Sequence, residues 1–316
     1  MHIHRLFTLT IFLSGLVVFD WTLGFALNRS LPRSAAGDVV GYGNLALEQS
    51  GADLIVLGSS RALHQIDPQV LKGELGIDAV NGGVDGQGIA YARAVEALLS
   101  ARGMVPKVFV LNMDISDMAR EDLSPSVALA PFWGENEAVD EILLRSTSHG
   151  QLKFFSSVFR FNSRALPLLA KLFTQREEKI HDGFSPIERT MDDDPEKIEI
   201  GGDWFWKGAE QLDPFKMQLY RNFLKSARAA GTRVFVVVGP RFWPPDFEQD
   251  PRTAPIDRLA GVASEEGASF FALDSFSNPE FSDPDLYSDP AHLNSAGARL
   301  YSERLAREIA KTLEAS

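Results

Sequence analysis

Two adjacent serines, Ser59 and Ser60, close the apolar run in LIVLGSSRALHQ, residues 54–65, where a strand-like stretch gives way to a helix-like one. A serine at such a turn presents its Oγ to solvent and has backbone N–H groups at hand for an oxyanion, as acyl transfer requires. Serine is equally a favoured helix N-cap, so the stretch alone is compatible with either role. A nucleophilic serine needs a base. Of the six histidines, His2 and His4 lie at the extreme N-terminus and His149 and His181 in the middle of the chain. His64 follows Ser60 by four residues and reads as a partly buried structural residue of a helix. His292 belongs to YSDPAHLNSAGARLYSERLAREIAKTL, residues 287–313, which begins as a loop and becomes amphipathic, with Ala298, Tyr301, Leu305, Ile309 and Leu313 on one face. Pro290 suits the second position of a type I turn, whose ends approach within about 7 Å, so Asp289 could hold the His292 Nδ1–H and leave Nε2 facing a serine. The same residues also read as a plain turn followed by an N-cap at Asn294, and the motif alone leaves both readings open.

Five short apolar runs must position these groups: DLIVLG (53–58), DAVNGG (78–83), KVFVLNMD (107–114), RVFVVVGP (233–240) and SFFALD (269–274). Helix-like stretches lie between most of them, including 89–103 and 214–231, the latter with Phe215, Leu219, Phe223 and Ala227 at four-residue steps and a closing glycine. Continuous apolar strands alternating with helices imply parallel pairing, with both faces of the sheet covered. The expectation is a three-layer α/β domain over 51–316 with a five-stranded parallel sheet. A long insertion after the third strand, at about 116–232, interrupts it. Helices are expected there around 135–147 and 150–175, followed by an acidic, turn-rich stretch from 175 to 206 and the aromatic cluster Trp204, Phe205 and Trp206. Insertions at strand ends of such sheets commonly border the active site. The aromatics are expected to pack this cap onto the core, with a sugar-binding surface as the other use.

The N-terminus adds a membrane element. Residues 6–19 carry no charge, and apolar character resumes after Asp20 through Leu27. At ~1.5 Å per residue, 6–27 is long enough to cross a bilayer core. We read 1–28 as a signal anchor and 29–50 as a linker with a lead-in helix. Asp20 is costly at mid-bilayer, ~3 kcal/mol on insertion scales, and is expected near the outer interface beside Trp21. The rival readings are a cleaved signal peptide, with a remote small-residue site at Ser34-Ala35-Ala36, and a buried core helix. Arg5 precedes the segment while Arg29 and Arg33 follow it, so charge does not set its orientation. An extracytoplasmic domain is inferred from position alone.

Composition excludes several functions. The formal net charge of −12 over 316 residues argues against a nucleic-acid partner, because phosphate binding needs a clustered positive surface. There are no cysteines, hence no disulfides, thiolate metal sites or cysteine nucleophiles. Glycine-rich phosphate loops and metal-ligand spacings are lacking, so a metal-free, cofactor-free mechanism is expected.

The chain from about residue 50 onward, outside the insertion, resembles the SGNH (GDSL-type) hydrolase superfamily. The resemblance lies in a serine block after the first strand, a glycine-bearing block, VNGGVDGQG, after the second, a polar block, LNMDISD, after the third, and Asp-x-x-His before the final helix. It implies a flavodoxin-like fold with Ser60 as nucleophile, His292 as base and Asp289 as its orienter. In the family the serine follows Gly-Asp; here Gly58-Ser59 precedes Ser60, similar to branches that modify cell-envelope polymers. The resemblance puts Asn81 at a strand end and makes Ser60 N–H and Gly86 N–H oxyanion donors. For the third donor the register permits Asn112 or Asp114, of which only Asn112 could donate. The implied activity is that of a membrane-anchored serine esterase or O-acyltransferase, acting through an acyl-enzyme on esters, acetyl esters foremost, of cell-envelope polysaccharide. Its partners would be an acyl ester or carbohydrate substrate, the membrane and envelope-assembly proteins. A small-ester or lipase-like esterase and a non-catalytic carbohydrate-binding or assembly protein are the alternatives.

Overall fold

The computed structural model describes residues 2–30, 52–161, 182–191, 211–243, 250 and 252–315. The expected lead-in helix, Ser34-Ala35-Ala36, His181, the expected helix beyond 161 and the Trp204–Trp206 cluster fall outside the described residues.

The five apolar runs form strands β1 (Leu54–Leu57), β2 (Ala79–Asn81), β3 (Val108–Asn112), β4 (Arg233–Val238) and β5 (Ser269–Ala272). All pair in parallel, in the order β2-β1-β3-β4-β5, which is the flavodoxin-like order. Side chains alternate across the sheet, so each strand feeds two cores. Ile55, Leu57, Phe109, Leu111, Val234 and Val236 pack beneath helices α4 (Ile89–Ala101), α9 (Pro214–Ala229) and α10 (Thr253–Glu265). Leu54, Val56, Val108, Val110, Phe235 and Val237 face α2 (Ser60–Gln65), α3 (Pro68–Leu75) and α11 (Ser295–Glu314). Truncating a fully buried member such as Leu305 to alanine is expected to cost about 2–5 kcal/mol.

The excursion after β3 opens with α5 (Ile115–Met118), a 3₁₀ stretch over Ser124–Phe132 and α6 (Glu137–Ser146). Where a continuous helix from 150 is expected, the chain forms two short ones, α7 (Gly150–Phe155) and α8 (Ser157–Phe161). The break has a tertiary cause. Asp20, on the N-terminal helix α1 (His2–Ser30), accepts hydrogen bonds from Ser156 Oγ (2.6 Å), Ser157 N (2.6 Å) and Val158 N (3.1 Å), and so caps α8 from another element. Within α1, residues 4–19 are exposed, whereas Gly24 and Leu27 are buried against the domain. The span His4–Arg29 is long and apolar enough to cross a membrane. Beyond β5 the chain makes a two-stranded antiparallel hairpin, β6 (Tyr287–Asp289) and β7 (His292–Leu293), before α11.

Candidate active site

In a parallel sheet of this order the chain reverses between β1 and β3, and ligands bind in the crevice beyond their carboxyl ends. Ser59 and Ser60 leave β1 there. The turn depends on Gly58: its φ is +156°, and a Cβ would stand 2.6 Å from the Asn112 carbonyl oxygen. The two serines then differ in their partners. Ser59 is the N-cap, its Oγ accepting from Arg61 N at 3.3 Å. Ser60, the first residue of α2, is freed from capping, and its Oγ lies 2.9 Å from His292 Nε2.

His292 is delivered by the β6–β7 hairpin, in which Pro290 and Ala291 form a two-residue turn and Asp289 pairs with His292. Asp289 Oδ1 accepts from Ala291 N (2.9 Å) and His292 N (3.0 Å), and both carboxylate oxygens stand 3.0 Å from His292 Nδ1. A carboxylate only accepts, so Nδ1 carries its hydrogen and Nε2 is left to accept the Ser60 hydroxyl proton. Burial pushes the Asp289 carboxyl up, but its hydrogen bonds from His292 and the two backbone N–H groups outweigh burial and hold it below the usual range. Asn294 caps α11 as well, accepting from Ala296 N and Gly297 N at 3.1 Å each. The turn-plus-cap reading and the orienter-plus-base geometry thus hold together, because they use different residues.

The serine opens onto a cleft of about 220 Å³, also lined by Gly86, His292 and Ala291. Gly86 has φ +68° and open space where a Cβ would sit. Asn81 lies behind, donating to the Ala62 and Ile66 carbonyls at 2.7 Å each while its Oδ1 accepts from Gly83 N. Asn112, expected as an oxyanion donor, does not line the cleft. Strand alternation puts it on the face of Val108 and Val110, where it is buried and its Nδ2 points to the Tyr301 hydroxyl at 3.5 Å. Asp114 takes the place at the cleft wall. Burial raises its carboxyl, but the Arg61 and Arg241 guanidiniums and Ser116 outweigh burial and set it at about 2. An ionised carboxylate cannot donate, so neither residue supplies the third hydrogen bond. The remaining wall is strongly polar, with Asp117, Arg120, Asp122, Lys216 and Arg241; Lys216 Nζ is 2.6 Å from Asp117 Oδ1.

One histidine exceeds what its sequence context suggested. His64 Nδ1 stands 2.5 Å from the Ser185 carbonyl oxygen and Nε2 3.1 Å from Asp85 Oδ1. Both partners only accept, so satisfying both requires hydrogens on both nitrogens, an imidazolium. Burial pushes the His64 pKa down, and the bonds to Asp85 and Ser185 outweigh it and raise the value. The ring meets that of His292 edge-on at 6.0 Å. The four-residue spacing from Ser60 places His64 on the same helical side, which is the sequence signal for it. Nothing in the sequence marks its partner segment. Residues 182–191 of the insertion are tied to β2, α2, β6 and α11 through Asn81 N to Asp182 O, Ser185 N to Leu63 O, Met191 N to Tyr287 O and Ser295 N to Ile187 O. Arg189 from this segment lies 3.6 Å from Asp289 Oδ2. Among the described residues, no three His, Asp or Glu side chains gather in a way that would hold a metal ion.

No family model matches the chain, and no curated protein matches it.

Proposed function

We propose that the protein is a serine esterase or O-acyltransferase of the SGNH type, held at a membrane by α1 with its domain outside the cytoplasm, and acting on short acyl esters of cell-envelope polysaccharide. The observation that carries the reading is the hydrogen-bonded series Ser60 Oγ, His292 Nε2, His292 Nδ1 and Asp289, assembled from residues 232 positions apart. In this reading His292 takes the Ser60 proton as Oγ attacks the ester carbonyl, and Asp289 stabilises the imidazolium that forms. The oxyanion meets the N–H groups of Ser60 and Gly86, each such donor being worth about 3 kcal/mol in the transition state. Collapse expels the alcohol with the proton from His292, leaving an acyl-enzyme. Water or a sugar hydroxyl, deprotonated by His292, then takes the acyl group. The small cleft with its charged wall favours a short acyl group on a polar carrier over the apolar acyl slot of a lipase-like enzyme.

A fluorophosphonate probe tests the chemistry. Wild type should label at Ser60, Ser60→Ala and His292→Ala should not, and Asp289→Asn should turn over a simple acetyl ester about 10³- to 10⁴-fold more slowly. Folded wild-type protein that neither labels nor hydrolyses the ester would replace this reading with a non-catalytic, binding one.

A further inference from the structure

The geometry of α1 points to a second membrane contact, made by the domain itself. This inference rests on α1 crossing a bilayer. The stretch Leu6–Phe19 is uncharged and stands clear of the domain, but at 1.5 Å per residue it measures only about 21 Å. A hydrocarbon core is about 30 Å thick, so about six further residues, those from Asp20 to about Phe25, are needed to complete the crossing. Those are the turns that pack on the domain. Asp20 caps α8, a Cβ at Gly24 would collide with Ser157, and Leu27 is fully buried. The segment α7–α8 is thereby fixed at the depth where α1 leaves the hydrocarbon.

The side chains at that level suit such a position. Leu152 of α7 is 80% exposed, more than any other large apolar residue described, and Phe155 is 64% exposed. Trp21 and Phe25 of α1 border the same cavity as Phe155. Cations flank them: Lys153 on α7, Arg160 on α8, and Arg29, whose guanidinium lies 5.0 Å over the Phe25 ring. Exposed apolar and aromatic groups with lysine and arginine beside them are the side-chain types that a phospholipid interface accommodates. We propose that α7 seats in the outer interfacial layer of the bilayer that α1 crosses, with Leu152 and Phe155 reaching toward the acyl chains. The domain is then held in one orientation on the membrane instead of swinging on a tether.

The absence of cysteine allows single-site labelling. The full chain, carrying an environment-sensitive fluorophore at Gln151→Cys, Phe12→Cys or Glu74→Cys, is reconstituted in phosphatidylcholine–phosphatidylglycerol vesicles with a shallow doxyl-lipid quencher. Position 12 reports the crossing. Glu74 is exposed on α3, across the sheet from α7. The expected result is quenching at position 151 at least threefold above that at 74, falling to the level of 74 when Leu152→Ser and Phe155→Ser are added. Position 151 no more quenched than 74 while 12 is quenched overturns the proposal, as does quenching at 151 that survives the two serine substitutions. No quenching at position 12 overturns the membrane reading of α1 itself, and this inference with it.

Discussion

Ser59 and Ser60 are chemically identical, and their hydrogen-bond partners separate them. Ser59 satisfies a helix N-terminus, while Ser60 meets His292, which the Asp289 carboxylate backs within the β6–β7 hairpin. His64 adds a titrating group beside His292, the two rings meeting edge-on at 6.0 Å. Because its folded pKa is raised above the unfolded value of about 6.5, its contribution to stability is complete below that pH and is lost as pH rises through the raised value. Thermal midpoints of wild type and His64→Gln should therefore differ most near pH 6 and converge toward pH 9. An equal difference at both ends would rule out the imidazolium assigned to His64. The loss should be felt at the cleft, because Asp85 immediately precedes Gly86.

At the scale of elements, the site depends on how closely strand ends approach one another. Gly58 lets β1 turn beside the end of β3, with the Asn112 carbonyl and the Ala62 side chain filling the space a Cβ would need. Gly58→Ala should cost about 1–3 kcal/mol in denaturant unfolding, from strained φ and the collision together. It should also slow fluorophosphonate labelling by displacing α2. Unchanged stability would mean that the turn relaxes freely and that glycine is not required. The hairpin and α11 form a similar unit at the other end of the chain: Asn294 caps α11 two residues after His292, so His292 is held at the start of a 20-residue helix.

For the whole molecule, Asp20 joins the apolar N-terminal helix to the domain. Its carboxylate accepts the two N–H groups that open α8, and removing it leaves them without that partner. Asp20→Ala should speed amide exchange at Ser157 and Val158 about tenfold, equivalent to about 1.4 kcal/mol, with membrane retention unchanged. Exchange identical to wild type would show that α1 and the domain are not coupled there. An aspartate that is costly in a free membrane helix is thus explained by a contact more than a hundred residues away in sequence.

Much of this protein is legible in local sequence. Parallel strands buried on both faces read as apolar runs, crossover helices as amphipathic periods, and the serine and Asp-x-x-His blocks as chemistry-bearing types at strand ends, because each depends on near neighbours in the chain. Tertiary structure decided what depends on register and on partners remote in sequence. Asn112, the last residue of β3, falls on the face of Val108 and Val110 and meets Tyr301, while Asp114, beyond the strand end at the cap of α5, stands at the cleft. The meeting of His64 with Ser185 and Asp85, and the capture of α8 by Asp20, are likewise contacts between distant segments. No local pattern specifies them, because their energy comes from groups that only folding brings within hydrogen-bond reach.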